Sequence, residues 1–436
     1  MYGDGTAPFH GVFSLRIRGT FIYENLQQAL AKIQAKHQML KTVITEDAKG
    51  IPWFVVNDTP AAIPIRVVQR HTDEDWIRET RREWATLFDV KAEPLLRVIW
   101  LQSPEVSDLL LSVHHCAFDG GAVLTLVHDL LALLDEPDKE IGVANALPFS
   151  SIRDLVPATL YKSSKGRVKR ILLRGVAHVA GALLPVGALF KKQESITGRE
   201  DYLITWQLDK DTSSALLRRC AKRRITTHAA LSAAFLLAFQ QVKGVKARNK
   251  IVCPVDIRRY VKEIKKDTLF AFGMAVNLSV NKSDKGFWET AGEVQANLTR
   301  QTDRLNGYDY LMNFECFHPV LRKSKKKTKE HIDYDLVFSN LGRLDIPKSY
   351  TSFEVEAIYP PTVMGPTGNY NTVLTSTFRG QMDFSFTGST HHFLYEEAVA
   401  VKTIAMQLLL EEEEPRDAEK AEKNVFLIEN APDCHI

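Results

Sequence analysis

The stretch Leu109–Gly120 reads LLLSVHHCAFDG, and its order of residues decides the fold. An apolar run ends abruptly in His114 and His115. Asp119 and Gly120 follow, and from Gly121 apolar residues recur with helical spacing. That order predicts a buried strand, a tight loop and a helix start. Neighbouring side chains on a strand point to opposite faces, so only one of the two histidines faces a given cavity. An imidazole titrates near neutral pH and therefore suits proton transfer. Glycine at position 120 permits a backbone conformation or a close approach that a side chain would block.

The rest of the chain sets bounds on this reading. Its 436 residues exceed one ordinary domain and predict two. The hydrophobic share of 45% and the charged share of 25% are those of a globular protein. A formal net charge of +3 gives no global charge argument for nucleic acid as a partner. Cys116, Cys220, Cys253, Cys316 and Cys434 are scattered, with no C-x-x-C and no His/Cys metal spacing. Reduced thiols, a cytoplasmic location and no metal are the corresponding expectations. The start MYGDGTAPFH carries no signal-peptide pattern, and no run of 18 apolar residues suggests a membrane span.

Periodicity predicts two successive α/β units. In the first, Val12–Arg18 and Ile51–Val56 read as strands around a helix Glu24–Leu40. Thr72 is placed to cap a helix carrying Trp76, Thr80, Trp84 and Leu87 on one side. Paired strands Leu95–Leu101 and Leu109–His114 follow, then a helix Ala122–Leu134 ended by Pro137. Residues 1–149 form this unit. A crossover over 150–200 changes in character: Lys162–Lys192 holds eight Lys or Arg, no acid, and the apolar core VAHVAGALLPVGALF. It is either a linker packed on the protein or an interfacial helix on an anionic membrane. The second unit, 201–410, has helices Asp211–Lys222, Thr227–Val242, Phe287–Arg304 and Leu394–Leu410. Its strands are Tyr202–Leu208, Ile251–Val255, Ala275–Val280, Tyr334–Ser339, Ser352–Ile358, Thr372–Arg379 and Gln381–Gly388. The remainder, 411–436, is a charged tail.

The pattern His114-His115-x-x-x-Asp119-Gly120 resembles the active-site signature of the acyltransferases related to chloramphenicol acetyltransferase. That superfamily includes peptide-synthetase condensation domains, alcohol and polyketide-lipid acyltransferases and wax-ester synthases. Further stretches resemble it in the same order from about residue 12 to 410. They are LQQALAKIQAKHQMLKTVI (Leu26–Ile44), FDVKAEPLLRVIWL (Phe88–Leu101), THAALSAAFLLAF (Thr227–Phe239), CPVDIRRY (Cys253–Tyr260), FGMAVNLSV (Phe272–Val280) and VFSNLGRLDIP (Val337–Pro347). In this light His37 reads as structural.

The resemblance implies two chloramphenicol acetyltransferase-like units side by side, a pseudo-dimer of α/β (α+β) class, with an active-site tunnel between them. It implies His115 as the general base, His114 packed on the other side, and Asp119 facing away from substrate to pair with an arginine. Arg258 is the candidate partner, because a buried carboxylate needs a counter-ion and a guanidinium offers a bidentate fork. The alternative for Arg258 and Arg259 is an exposed strand end. The implied activity moves an acyl group from acyl-CoA or a phosphopantetheine thioester to a hydroxyl or amine acceptor, with no bound cofactor. A free-standing O-acyltransferase is preferred. A stand-alone condensation enzyme working with an acyl carrier protein, or a non-catalytic binding member, remains open. Thr372 and Ser376 are hydroxyls that would serve an oxyanion.

Adjacent residues on an extended chain point apart, which argues against Cys116 and His115 as a nucleophile–base pair. His391-His392 lacks a following Asp-Gly and reads as a helix start or surface site. Arg322–Lys329 holds six cations in eight residues. It is either a solvated loop or a contact for coenzyme A phosphates or an acidic carrier.

Overall fold

A computed structural model describes residues 8–48, 50–142, 149–162, 200–280, 285–313, 333–365 and 370–411. The expectations for the basic and apolar crossover beyond Lys162, for Arg322–Lys329 and for the tail fall outside the described residues.

The first sheet has the order β11-β1-β6-β5-β4. Its members are β1 (His10–Gly19), β4 (Ile65–Gln69), β5 (Leu96–Gln102), β6 (Val106–His114) and β11 (Phe353–Met364). Strand β6 is central, antiparallel to β1 and to β5, and buried on both faces. Leu109, Leu111 and Val113 pack with helices α1 (Tyr23–Lys36) and α3 (Gly120–Asp135). Leu110 packs with Trp76 and Trp84 of helix α2 (Asp75–Ala85) on the opposite side. This explains the unbroken apolar run: a strand covered on both faces has no polar face to show. Asp108 is fully buried in the same strand and is held by Arg16 Nε at 2.9 Å and Arg70 Nε at 2.8 Å. His37 Nε2 lies 2.9 Å from Asp129 Oδ2 and so ties the end of α1 to α3.

The second sheet has the order β7-β13-β12-β10-β8-β9. It comprises β7 (Asp201–Leu208), β8 (Lys250–Val255), β9 (Met274–Ser279), β10 (Leu336–Arg343), β12 (Thr372–Phe378) and β13 (Gln381–Ser389). Helices Thr227–Lys243, Phe287–Asp303 and Tyr395–Leu410 cover it. A separate hairpin joins β2 (Thr42–Glu46) to β3 (Pro52–Val56). The two sheets with their helices form the expected mixed α/β pair.

Four details depart from the sequence reading. Strands β2 and β4 are additional; each is five residues long and partly exposed, too short for a period to register. The N-cap of α2 is Glu74, without a side-chain cap, and Thr72 instead donates to the Asp75 carboxylate at 2.8 Å. Leu87 lies beyond α2 and is exposed rather than on its buried stripe. Finally, β11 runs on past Ile358 to Met364 and belongs to the first sheet, although it comes from the second half of the chain. Its Pro360 and Pro361 sit where the register with β1 shifts between Val12 and Ser14. An edge strand at a bulge needs no N–H from those positions, so the prolines do not end it.

Candidate active site

Strand β6 ends at His114, and the loop His115–Asp119 turns the chain into α3. The two histidines have different surroundings. His114 is buried, with its ring centroid 5.7 Å from Phe88, 6.0 Å from Phe9 and 6.1 Å from His10. His115 is only partly buried, and its backbone N–H donates to the Phe9 carbonyl at 2.7 Å. Its Nδ1 lies 2.7 Å from the carbonyl oxygen of Phe118. A carbonyl can only accept, so Nδ1 carries the proton and Nε2 keeps a free lone pair. Burial pushes the His115 pKa below its ordinary 6.5, against the opposing pull of the Phe118 carbonyl and Asp119. The ring is therefore mostly neutral at neutral pH.

Asp119 performs two tasks. Its Oδ1 caps α3 by accepting from the Ala122 N–H at 2.9 Å. It also receives Arg258 bidentately, with Nη1 at 2.7 Å from Oδ2 and Nη2 at 3.1 Å from Oδ1. Arg258 belongs to the second half, just after β8, and its Nη2 donates as well to the Thr268 carbonyl at 2.8 Å. The guanidinium is buried, with 6% of the side chain exposed, so it is not an exposed strand end. Gly120 is the second point of contact between the halves. A Cβ there would lie 2.8 Å from Leu341 Cδ2, in the SNLGR bend of β10. In that bend the Asn340 carboxamide accepts from the Gly342 N–H at 2.8 Å, and Gly342 adopts φ of +67°.

The β12 face nearest the first half carries Leu374, Ser376 and Phe378. Val373 packs into the second unit's core, whereas Phe378 packs into the first unit's core. Ser376 is buried and its Oγ has no partner among the described residues. It lies one residue from Thr375, which is level with Asn340 of β10. Thr372 starts the strand at its far end and donates its hydroxyl to the Tyr370 carbonyl at 2.9 Å. The Cys116 thiol is pushed up to about 12 by burial and is no nucleophile at neutral pH. Sequence periodicity did not mark Phe9 and Phe118: the first stacks obliquely on His115 at 5.0 Å and the second fixes its tautomer through a backbone oxygen. A backbone acceptor leaves no residue-type signal. Two clefts of about 430 and 280 Å³ are present elsewhere, and neither is lined by His115.

Residues 3–141 match the family model of the condensation domain. Cyclosporin synthetase of Tolypocladium inflatum is 27% identical over 242 residues, 55% of this chain. Phosphinothricin tripeptide synthetase of Streptomyces viridochromogenes is 31% identical over 146 residues, 31% of this chain. The chain spans 2% of the first relative and 13% of the second. Among solved structures, a trichothecene 15-O-acetyltransferase from Fusarium sporotrichioides superposes with a TM-score of 0.69 at 15% identity, covering 93% of this chain and 91% of that one. The condensation domain of the Monacolin K polyketide synthase gives 0.63 at 14% identity, covering 92% and 91%. Polyketide synthase associated protein 5 from Mycobacterium tuberculosis gives 0.62 at 15% identity, covering 92% and 94%.

Proposed function

We propose that this chain, which has the chloramphenicol acetyltransferase-like fold shared by condensation domains and O-acetyltransferases, is an acyltransferase that uses His115 as its base. The observation that carries the reading is the pinned tautomer: Nδ1–H is spent on the Phe118 carbonyl, and Nε2 is left to accept a proton. The acceptor's hydroxyl or amine gives its proton to Nε2 as its heteroatom attacks the thioester carbonyl. The carbonyl oxygen becomes an oxyanion. As the C–S bond breaks, the thiol takes the proton back from Nε2. No covalent acyl-enzyme and no bound cofactor are required. A positioned base of this kind contributes about 10²–10⁴-fold; alignment of two substrates and oxyanion stabilisation supply the rest.

Ser376 is the hydroxyl we assign to the oxyanion, because it is buried, unpartnered among the described residues and on the face of β12 that meets the first half. Thr372 is set aside, since its hydroxyl is already committed at the strand's other end. Asp119 and Arg258 hold the loop that presents His115.

The donor is acyl-CoA or a carrier-bound phosphopantetheine thioester, and an alcohol is the preferred acceptor. A stand-alone condensation enzyme acting with an acyl carrier protein is the second reading, supported by the condensation-domain match over residues 3–141. A panel of acyl-CoA donors read by thiol release, with alcohols, amines and carrier-bound acceptors, separates the two. Release that needs an alcohol supports the first reading; release seen only with carrier-bound substrates supports the second. No acceptor-dependent release from any donor would defeat both.

A further inference from the structure

The second sheet carries a cleft at the end remote from the histidine loop. Strands β8, β10 and β12 run parallel and begin there, at Lys250, Leu336 and Thr372. Asp335 at its wall is six residues from Leu341, which touches the motif glycine; at about 3.3 Å per residue that is roughly 20 Å. The cleft holds about 430 Å³, within the range of small-molecule sites. Its walls include Lys243, Lys246, Arg248, Asp335, Tyr370 and His392.

The charges in it do not balance. Asp335 is fully buried and already satisfied: Lys243 Nζ donates to Oδ1 at 2.9 Å and the Asn249 N–H to Oδ2 at 2.7 Å. Lys246 and Arg248 are exposed, line the same cleft and form no ion pair among the described residues. Three cations against one carboxylate leave a net charge of two units, which suits a phosphomonoester dianion. In the same cleft the Tyr370 and His392 rings lie 4.7 Å apart, tilted by 36°, with His392 exposed. Such a pair offers an aromatic surface to a planar ring. In the wall, Asn371 donates Nδ2 to the Asp335 carbonyl at 3.1 Å, and its Oδ1 has no donor among the described residues.

We propose that this cleft binds an adenine nucleotide, with the phosphate held by Lys246 and Arg248 and the base against Tyr370 and His392. The nucleotide is either free or the 3′-phosphoadenosine end of coenzyme A. The cleft lies apart from the histidine loop; the free-nucleotide form stands without the acyl-transfer reading, and the coenzyme A form rests on it.

The test is calorimetric titration of the full chain with AMP, adenosine 3′,5′-bisphosphate, coenzyme A, adenosine and inorganic phosphate. AMP is expected to bind at least about tenfold more tightly than adenosine, as charge-assisted contacts to a phosphate would give. The double variant Lys246→Ala/Arg248→Ala should lose that advantage, and because both side chains are exposed it should melt as the wild type does. Tyr370→Leu should weaken AMP while leaving inorganic phosphate unchanged. His115→Ala should bind AMP as the wild type does, which keeps this site distinguishable from the acyl-transfer centre. Competition between coenzyme A and AMP, with both weakened in the double variant, assigns the nucleotide end of coenzyme A; AMP binding without such competition assigns a free nucleotide. AMP binding no tighter than adenosine, or unchanged in the double variant, overturns the proposal.

Discussion

His115 keeps a free lone pair at one ring nitrogen because the other carries the proton, and this makes the behaviour with pH of the proposed base predictable. Burial disfavours the imidazolium, so the folded pKa lies below 6.5. The rate should therefore rise with pH with its midpoint below 6.5, the ordinary histidine value, and level off above it. A kcat/KM profile with its midpoint above pH 7 would contradict the assignment. His115→Ala should lose about 10²–10⁴-fold in kcat with little change in Tm, since it removes no ion pair or helix cap. Ser376→Ala should lower kcat more than it changes KM, as a donor aimed at charge that exists only in the transition state must. An unchanged kcat would remove Ser376 from the chemistry.

At the scale of elements, the clasp between the loop before α3 and the turn after β8 is the feature to probe. Breaking a buried ion pair by removing one partner costs about 3–5 kcal/mol, and Asp119 also caps α3, worth about 1 kcal/mol. Asp119→Ala and Arg258→Ala should each lower stability and activity together. A double-mutant cycle on urea midpoints should show coupling above about 1 kcal/mol; additive effects would mean that the clasp holds nothing. Much of this was legible beforehand. The burial of β6 and the start of α3 follow from the apolar run and the Asp-Gly step; that Asp119 pairs with an arginine was implied by the family resemblance, and the need of a buried carboxylate for a counter-ion singled out Arg258. What was not legible depends on partners distant in sequence. No local signal tells that Phe118 lends its carbonyl to His115, or that Leu341 fills the space a side chain at 120 would need. Nor does a local signal tell that the strand read as Ser352–Ile358 runs on through Pro360 and Pro361, because the bulge that tolerates them is made with β1, some 350 positions earlier.

Two properties of the whole molecule are testable, its acid sensitivity and the join between its halves. His10 and His228 are buried with their pKa lowered to about 4, chiefly by desolvation, and His115 shifts in the same direction. Below pH 6.5 the unfolded chain binds protons that the folded chain refuses, so stability falls as pH falls. At pH 5 that amounts to about 2 kcal/mol for each of the first two. His10→Asn/His228→Asn should flatten the loss of urea midpoint between pH 7 and pH 5; a slope equal to the wild type's would place the acid sensitivity elsewhere. The join between the halves is the exchange of β11. The first unit has its sheet completed by a strand of the second, and Trp84 Nε1 donates to Thr362 Oγ1 across that join at 3.1 Å. Tyr359 of β11 stacks on Trp76 at 4.2 Å. A fragment of residues 1–162 therefore lacks its β11 edge and exposes the unpaired side of β1, an edge that invites association. Expressed alone it should aggregate or unfold at low urea, whereas coexpression with residues 200–436 should return a soluble pair that copurifies. A 1–162 fragment that melts cooperatively at the midpoint of the intact chain would show that the exchanged strand contributes nothing to the first unit.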